Sequence, residues 1–409
     1  MVSENISNKF YLNEERINYL FKIFNLDKES FLKLLQEKNK NPVLTELEFS
    51  QAIKKELPLK IPTLKKIDKI FEKGLMWYVS SRPLPEKNNL SIFFRKSSFN
   101  TKLNIGSIRL IERFEKKKIE TEILSDYLEL NYKKEFNFNI NDNPKEVAKI
   151  IREKFNESKN QLLKKNLIKN GNSDKIFLEN LIRYFENFNV FVFEHIDKKR
   201  NPNNVINFDG FFMKPNFILI KRQQKYLKRE IFTLLHEFAH YLINIEEIDS
   251  NLDSEIIINN KIEDWCNDFA YFYLIDKYST EIDSLELASK KNDFYQDFFE
   301  DISEKNHISV FSLYTRLKII NKISNQDYNK IKNKIYEEIK KSAEKQMRKI
   351  EETAKLKGKT PYFSQPVPIK PKLYYDLIKM SYFNGNISEK LALENLNAKN
   401  KRIEEVIFR

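Results

Sequence analysis

Apolar residues recur at three- and four-residue steps along most of this chain, a pattern that predicts a mostly helical protein. Two clear examples are Asn13 to Phe24 and Asp327 to Leu356. Residues 145–187 show the same spacing on both sides of a polar break at Asn170 to Asp174. The break predicts two helices there. The many charges of Asp327 to Leu356 predict one long helix with a largely solvated surface.

Two short apolar runs interrupt the helical pattern. Val190 to Phe193 and Phe217 to Ile220 are bounded by turn residues, and each predicts a strand. The segment Phe208 to Phe211 lies between them. The predicted fold class is therefore α+β, mostly helical, with a small β-sheet.

A further helical pattern carries His236-Glu237-Phe238-Ala239-His240, an HExxH motif. On a helix the two imidazoles lie on one face, a turn apart, where they can share one metal ion. Glu237 can reach a water bound to that ion and act as the general base of a hydrolase. The chain has only 4 His in 409 residues. A chance HExxH is therefore expected in roughly a few of every thousand such chains. The apolar face of the helix consists of Ile231, Leu234, Leu235, Phe238, Tyr241 and Leu242.

A metal site of this kind needs a third protein ligand. Glu263 begins a strongly apolar helical pattern and is the favoured candidate, although a glutamate at a helix start is also favoured by the helix dipole alone. Asn267 lies one turn further on and is expected to orient a ligand. Asp264 and Asp268 lie on a neighbouring face and are expected to be solvated. Two imidazoles and one carboxylate favour one Zn²⁺ per chain. The competing third ligands are Glu246, Glu247 and Glu255.

These two motifs carry a resemblance to a known family. The run Ile231 to His240 resembles the HExxH core of the ImmA/IrrE family of metallo-endopeptidases. Glu263-x-x-Cys266-Asn267-x-Phe269-Ala270 is similar to that family's second motif, whose glutamate is the third zinc ligand. The resemblance implies a zincin-like core and a zinc-dependent endopeptidase. It also implies a protein substrate, typically a Cro-type repressor or an antitoxin, in stress, mobile-element or toxin–antitoxin control.

The chain departs from the family pattern at several positions. Ile231 stands where the family often has arginine, and Arg229 lies two residues earlier. Ala239 replaces a frequent glycine, and Cys266 replaces the alanine of the second motif. None of these changes removes a ligand or the base. They indicate a divergent branch, in which the fit of the substrate is open.

Many family members carry an N-terminal helix-turn-helix of the Cro type. This chain resembles it at Ile61 to Ile67 and, further on, at Arg82 to Pro85 and Phe93 to Arg95. Asp27 can cap one helix of this region, and Pro62 can begin another that Gly74 ends. Lys38 to Lys60, where a recognition helix would lie, fits a compact helix-turn-helix poorly.

The predicted organisation follows from these segments. We expect a helical, helix-turn-helix-like unit at 1–80, a zincin-like metallopeptidase core at 81–295 and a helical unit at 296–357. A Pro-rich linker at 358–371 and a C-terminal helical tail at 372–409 complete the chain. The linker is predicted because it contains Pro361, Pro366, Pro368 and Pro371.

Composition and charge bear on the partners and the cellular compartment of the protein. The net charge of +13 is compatible with DNA or an acidic partner, but the lysines are scattered among glutamates, as on a solvated surface. The single cysteine, Cys266, excludes an intramolecular disulfide and favours a reducing cytoplasm, where it is expected to be inert core. The chain shows no signal-peptide pattern and no apolar run of about 18 residues, so neither secretion nor a membrane span is expected.

Two histidines lie outside the motif. His195 is a candidate stabiliser of a transition-state oxyanion, with a surface-loop histidine as the plainer interpretation. His307 is expected to be exposed in the later helical unit. Two alternatives to a protease stay open. One is a DNA- or partner-binding regulator whose metal domain senses or scaffolds without cutting, and the other is a toxin with a broader target.

Overall fold

The computed structural model describes residues 10–36, 43–84, 103–171, 173–196, 205–222, 227–246, 261–358, 366–398 and 401–407. The chain divides into two compact units. The first unit comprises Met1–Ile119 and Lys198–Asn207, and the second comprises Glu120–Asp197 and Phe208–Arg409. The described residues are mostly helical with one small mixed sheet, so the predicted α+β class is confirmed. The five segments predicted from the sequence, with their boundaries, stay a prediction.

The first unit is helical around an aromatic core. Asn13 caps α1 (Glu14–Ile23), and Thr45 forms a capping box with Glu48 at α3 (Glu46–Ile53). Phe31 packs against Phe49 and Phe71 at centroid distances of 5.2 and 5.6 Å. The helices are α1 (Glu14–Ile23), α2 (Lys28–Gln36), α3 (Glu46–Ile53), α4 (Ile61–Phe71) and the first part of α5 (Ile105–Tyr127).

The second unit holds the sheet and the remaining helices. The first part of the unit contains α6 (Pro144–Lys164), α7 (Asp174–Asn187), β1 (Phe191–Ile196), β2 (Gly210–Met213), β3 (Phe217–Arg222), α8 (Leu227–Ile243) and α9 (Lys261–Ile275). The later part contains α10 (Tyr278–Ser284), α11 (Gln296–Asn306), α12 (Val310–Ile319), α13 (Asn325–Leu356), α14 (Lys372–Phe383), α15 (Glu389–Asn395) and α16 (Ile403–Ile407).

The sheet has the strand order β1-β3-β2 within the described residues. β1 runs parallel to β3, with Phe191 opposite Phe217, and β2 runs antiparallel to β3, with Gly210 opposite Ile220. The sequence predicted two strands and left Phe208 to Phe211 between them. Gly210 in fact begins a third strand, which is too short for its alternation to stand out in the sequence.

α8 lies at the centre of the second unit. It packs against β2 and β3 on one side and against α7 and α9 on others, and α9 in turn packs against α6. Phe238 of α8 stacks on Phe185 of α7, with ring centroids 3.8 Å apart. Every residue from Thr233 to Ile243 is buried, so the HExxH helix is enclosed by apolar neighbours on most of its surface.

The later helices add two observations. His307, predicted to be exposed, is only 4% exposed. Its ring stacks on Phe177, and its Nδ1 lies 2.7 Å from Asp174 at the start of α7, so a neighbouring helix covers it.

In the Pro-rich segment, residues 366–371 form neither helix nor strand, and the Arg183 guanidinium donates to the Lys370 carbonyl there. No described helix is long and apolar enough to cross a membrane.

Candidate metal centre

Two histidines of α8 point to one place. His236 and His240 are each 1% exposed, and their Nε2 atoms lie 3.2 Å apart. The one-turn spacing on a helix produces this convergence. Two imidazole nitrogens this close, both bearing lone pairs, repel one another unless a proton or a cation lies between them. The pair therefore has the character of a cation site.

Glu263 at the start of α9 completes the group. Its Oε2 lies 3.1 Å from His236 Nε2, and its Oε1 lies 3.4 Å from His240 Nε2. Ligand atoms around a tetrahedral ion with bonds of ~2.0–2.1 Å lie about 3.3–3.4 Å apart, so these separations are close to those of a formed site. The candidate ligand atoms all lie within 4.8 Å of one another, and the group could hold a metal ion.

Asn267, one turn after Glu263 on α9, orients the first histidine. Its Oδ1 lies 3.0 Å from His236 Nδ1. An amide oxygen only accepts hydrogen bonds, so His236 Nδ1 carries the proton and donates it. The Nε2 lone pair of His236 is thereby directed toward His240 and Glu263, which together with His236 form the ligand group. Outer contacts of this kind fix the tautomer and the ring orientation of metal-binding histidines.

Glu237 lies against strand β2. Its side chain is buried, with 2% of the residue exposed. Gly210 begins β2 so close to it that a Cβ atom at Gly210 would lie 2.9 Å from both Cγ and Oε1 of Glu237. The same atom would lie 2.9 Å from Cγ2 of Thr233. The missing side chain of Gly210 therefore leaves the space that the Glu237 carboxylate fills.

Two arginines for which the sequence predicted no role in the site connect the sheet to α8. Arg229 of α8 pairs with Asp209, the residue before Gly210, at 2.5 Å. Arg222 of β3 lies 2.7 Å from Glu230 of α8 and 3.1 Å from Glu194 of β1, and all three side chains are buried. The position of Arg229, seven residues before His236 and hence on the same helix face, was the signal in the sequence that it lies near the site. The partners of Arg222 had no signal in the sequence.

The structure does not bring His195 into the ligand group. His195 lies within strand β1, opposite Lys221 of β3, and not in a surface loop. β3 lies between β1 and β2. About two strand spacings, ~9.5 Å, therefore separate β1 from the strand that contacts Glu237. An oxyanion-stabilising role for His195 has no support in this placement.

The remaining candidates also have definite positions. Glu246, a competing third ligand, accepts a hydrogen bond from the Lys214 backbone at 2.6 Å and is not part of the ligand group. Cys266 is fully buried, as expected for a core residue. Asp268, expected to be solvated, is partly buried and pairs with Arg316 at 2.9 Å; burial raises its pKa, and Arg316 opposes that shift. Glu247 and Glu255 lie outside the described residues.

The comparisons with known proteins identify no relative. No protein-family model, no curated protein and no solved structure matches this chain.

Proposed function

We propose that this protein is a zinc-dependent endopeptidase with a zincin-like core. One observation carries the proposal. The Nε2 atoms of His236 and His240 and the carboxylate of Glu263 meet at 3.1–3.4 Å from one another, and Glu237, the residue that follows His236, is buried. Three ligands from protein with a glutamate beside them form the ligand set of a catalytic zinc site, which keeps its fourth position for water or substrate.

The roles of the residues follow from their chemistry. His236, His240 and Glu263 would hold the ion, and Asn267 keeps His236 in the tautomer that can bind it. A zinc ion bound there would act as a Lewis acid, lowering the pKa of water and polarising the scissile carbonyl. The Glu237 carboxylate takes the proton of the attacking water and passes it to the leaving amine. Hydrolysis of a peptide bond needs both proton transfers.

The identity of the ion and of the substrate belongs to the same proposal. Two imidazoles and one carboxylate suit zinc. They do not suit calcium or magnesium, which prefer ligands that are all oxygen atoms. The motif resemblance favours a cytoplasmic enzyme that cleaves a regulatory protein such as a Cro-type repressor or an antitoxin. Among the described residues, the support for a protease over a metal sensor is Glu237 itself, since a sensing or scaffolding site has no need of a base.

Metal content tests the ligand set. The full chain, purified without a chelator or a His-tag, is analysed by inductively coupled plasma mass spectrometry beside Glu263→Ala and the exposed control Glu281→Ala. We expect about one zinc per chain in the wild type and in the control, and a clear loss in Glu263→Ala. Wild-type protein that takes up no metal when zinc is offered would overturn the proposal.

Cleavage tests the base without a known substrate. A denatured bacterial proteome is incubated with zinc-loaded wild type or with Glu237→Gln, and the new peptide N-termini are sequenced by mass spectrometry. We expect new termini with the wild type only, and at least about a thousandfold lower rate for Glu237→Gln at equal metal content. Identical termini from both proteins would show that Glu237 is not the base.

A further inference from the structure

A large groove lies beside the candidate metal centre. It encloses about 690 Å³ between α8, α9, α12 and α13, within the range of ligand-binding clefts. Asn267, which orients His236, is one of its lining residues. The groove therefore reaches the residue that contacts His236.

Both helices that carry candidate metal ligands also contribute residues to the wall of the groove. On α8, Arg229 and Phe232 line the groove and lie seven and four residues before His236, on the helix face that carries both histidines. On α9, Tyr271 lines the groove one turn after Asn267 and two turns after Glu263. The groove therefore lies along the helix faces that carry the candidate ligands.

The polar side chains of the groove are already engaged with one another. Arg316 pairs with Asp268 at 2.9 Å, and its guanidinium lies 4.8 Å from the centre of the Tyr271 ring. The Lys228 ammonium donates to both the carbonyl and the hydroxyl of Ser303 at 2.7 Å. These contacts leave little polar capacity for an incoming molecule, so the occupant must gain its affinity from apolar contact.

The apolar side chains of the groove are large and partly open to solvent. Ile319 of α12 is 61% exposed, and Tyr336 and Ile339 of α13 are 42% and 36% exposed. Phe232 and Phe311 also line the groove. Helices α12 and α13 thus present aliphatic and aromatic surface to the groove, and exposed apolar surface of this kind marks a binding site.

We propose that this groove binds large aliphatic or aromatic side chains of the protein substrate and sets the sequence preference of cleavage. The inference rests on the proposed function. Phe232 and Arg229 lie about 6 and 10.5 Å along the helix axis from His236. An extended peptide advances ~3.3 Å per residue, so a peptide running from the ligands along α8 places its second and third residues in the groove. The preferred substrate therefore carries a large apolar residue about two to three positions from the scissile bond.

The test separates binding from cleavage. Zinc-loaded Glu237→Gln, immobilised as the full chain, is offered a tryptic peptide mixture of a whole proteome, and the retained peptides are sequenced. The same experiment is run with Glu237→Gln/Ile319→Glu and with Glu237→Gln/Leu356→Glu. Leu356 is a matched control, since it is 88% exposed at the end of α13 and is not a groove residue.

We expect Glu237→Gln and the Leu356 control to retain peptides enriched in large apolar residues. Retention should fall roughly tenfold with Ile319→Glu, because a charge there removes a large apolar contact and must be desolvated. Equal retention by the Ile319 and Leu356 variants, or no retained peptides from any of them, would overturn the inference. So would a dimer of the wild type that Ile319→Glu converts to a monomer, since a second copy would then fill the groove.

The two proposals fail in different ways. If peptides bind through the groove and wild type produces no new N-termini, the proposed peptidase function fails. The binding of large apolar side chains in the groove is then still supported. If wild type cleaves and Ile319→Glu cleaves the same sites at the same rate, the groove assignment fails and the peptidase stands.

Discussion

At the scale of single residues, the site depends on the residues that contact the ligands and the base as well as on the ligands themselves. The HExxH spacing brings two imidazoles together, but Asn267 decides which nitrogen of His236 bears the proton. The sequence predicted Asn267 as a partner of Glu263, one helical turn away, and gave no sign that it contacts His236. The position of Glu237 has a different origin. It depends on a glycine that is distant in the sequence and absent from both motifs.

Gly210→Ala is expected to impair the reaction without removing the metal. The added Cβ would lie 2.9 Å from Glu237 Oε1 and from Thr233 Cγ2, closer than carbon and oxygen atoms normally approach. The carboxylate must shift, and a displacement near 1 Å at a reacting group costs roughly a hundredfold in rate. We expect a 10- to 100-fold slower appearance of new N-termini, at an unchanged zinc content measured by mass spectrometry.

A control separates displacement of Glu237 from loss of the fold. The far-ultraviolet circular dichroism and the melting temperature of Gly210→Ala are recorded beside the activity. A folded, zinc-loaded Gly210→Ala protein with the wild-type cleavage rate would show that the close approach of β2 does not position Glu237.

At the scale of secondary-structure elements, the sequence predicted the helices whose apolar residues recur at a regular local spacing. α6 and α7 flank the predicted polar break, and α13 begins at Asn325, two residues before the predicted start. The errors concern contacts between distant segments. β2 was missed because its strand character comes from pairing with β3, and His307 was misplaced because a different helix, α7, covers it. His195 was taken as a loop residue because the length of β1 is set by its partner strand.

The C-terminus of α8 has a pH-dependent contact. The Lys134 ammonium donates to the Leu242 carbonyl at 2.8 Å, and partial burial, together with nearby Lys214, lowers the pKa of Lys134 to about 8. The unfolded chain has an ordinary lysine pKa of about 10.4. Between these values the unfolded state binds more protons than the folded state, so the contribution of Lys134 to stability rises with pH across this window.

Lys134→Met is expected to remove this dependence. Urea unfolding of wild type and variant is followed at pH 7.5 and at pH 9.5. The free energy of unfolding of the wild type, taken relative to that of the variant, should increase from the lower to the higher pH. Identical pH dependence in the two proteins would mean that the Lys134 pKa is not lowered in the folded state.

At the scale of the whole molecule, all three candidate metal ligands belong to the second unit, whereas α1 to α4 belong to the first. Each unit has its own apolar core. The hypothesis of a DNA- or partner-binding regulator rests on the first unit and on the net charge of +13. The peptidase proposal rests entirely on the second unit. The response of each core to zinc can therefore be measured separately.

Hydrogen exchange makes that measurement. An ion that binds only the folded state stabilises it by mass action, by about 2.7 kcal/mol when free zinc exceeds its dissociation constant a hundredfold. The ligands join α8 to α9, so zinc should slow amide exchange in these helices and in the sheet beneath them, relative to chelator-treated protein. Peptides from α1 to α4 should exchange at unchanged rates, because their core contains none of the ligands. Glu263→Ala should abolish the zinc effect. Equal slowing in both cores would instead show that the ion acts on the chain as a whole, and slowing confined to the first unit would place the metal site outside His236, His240 and Glu263.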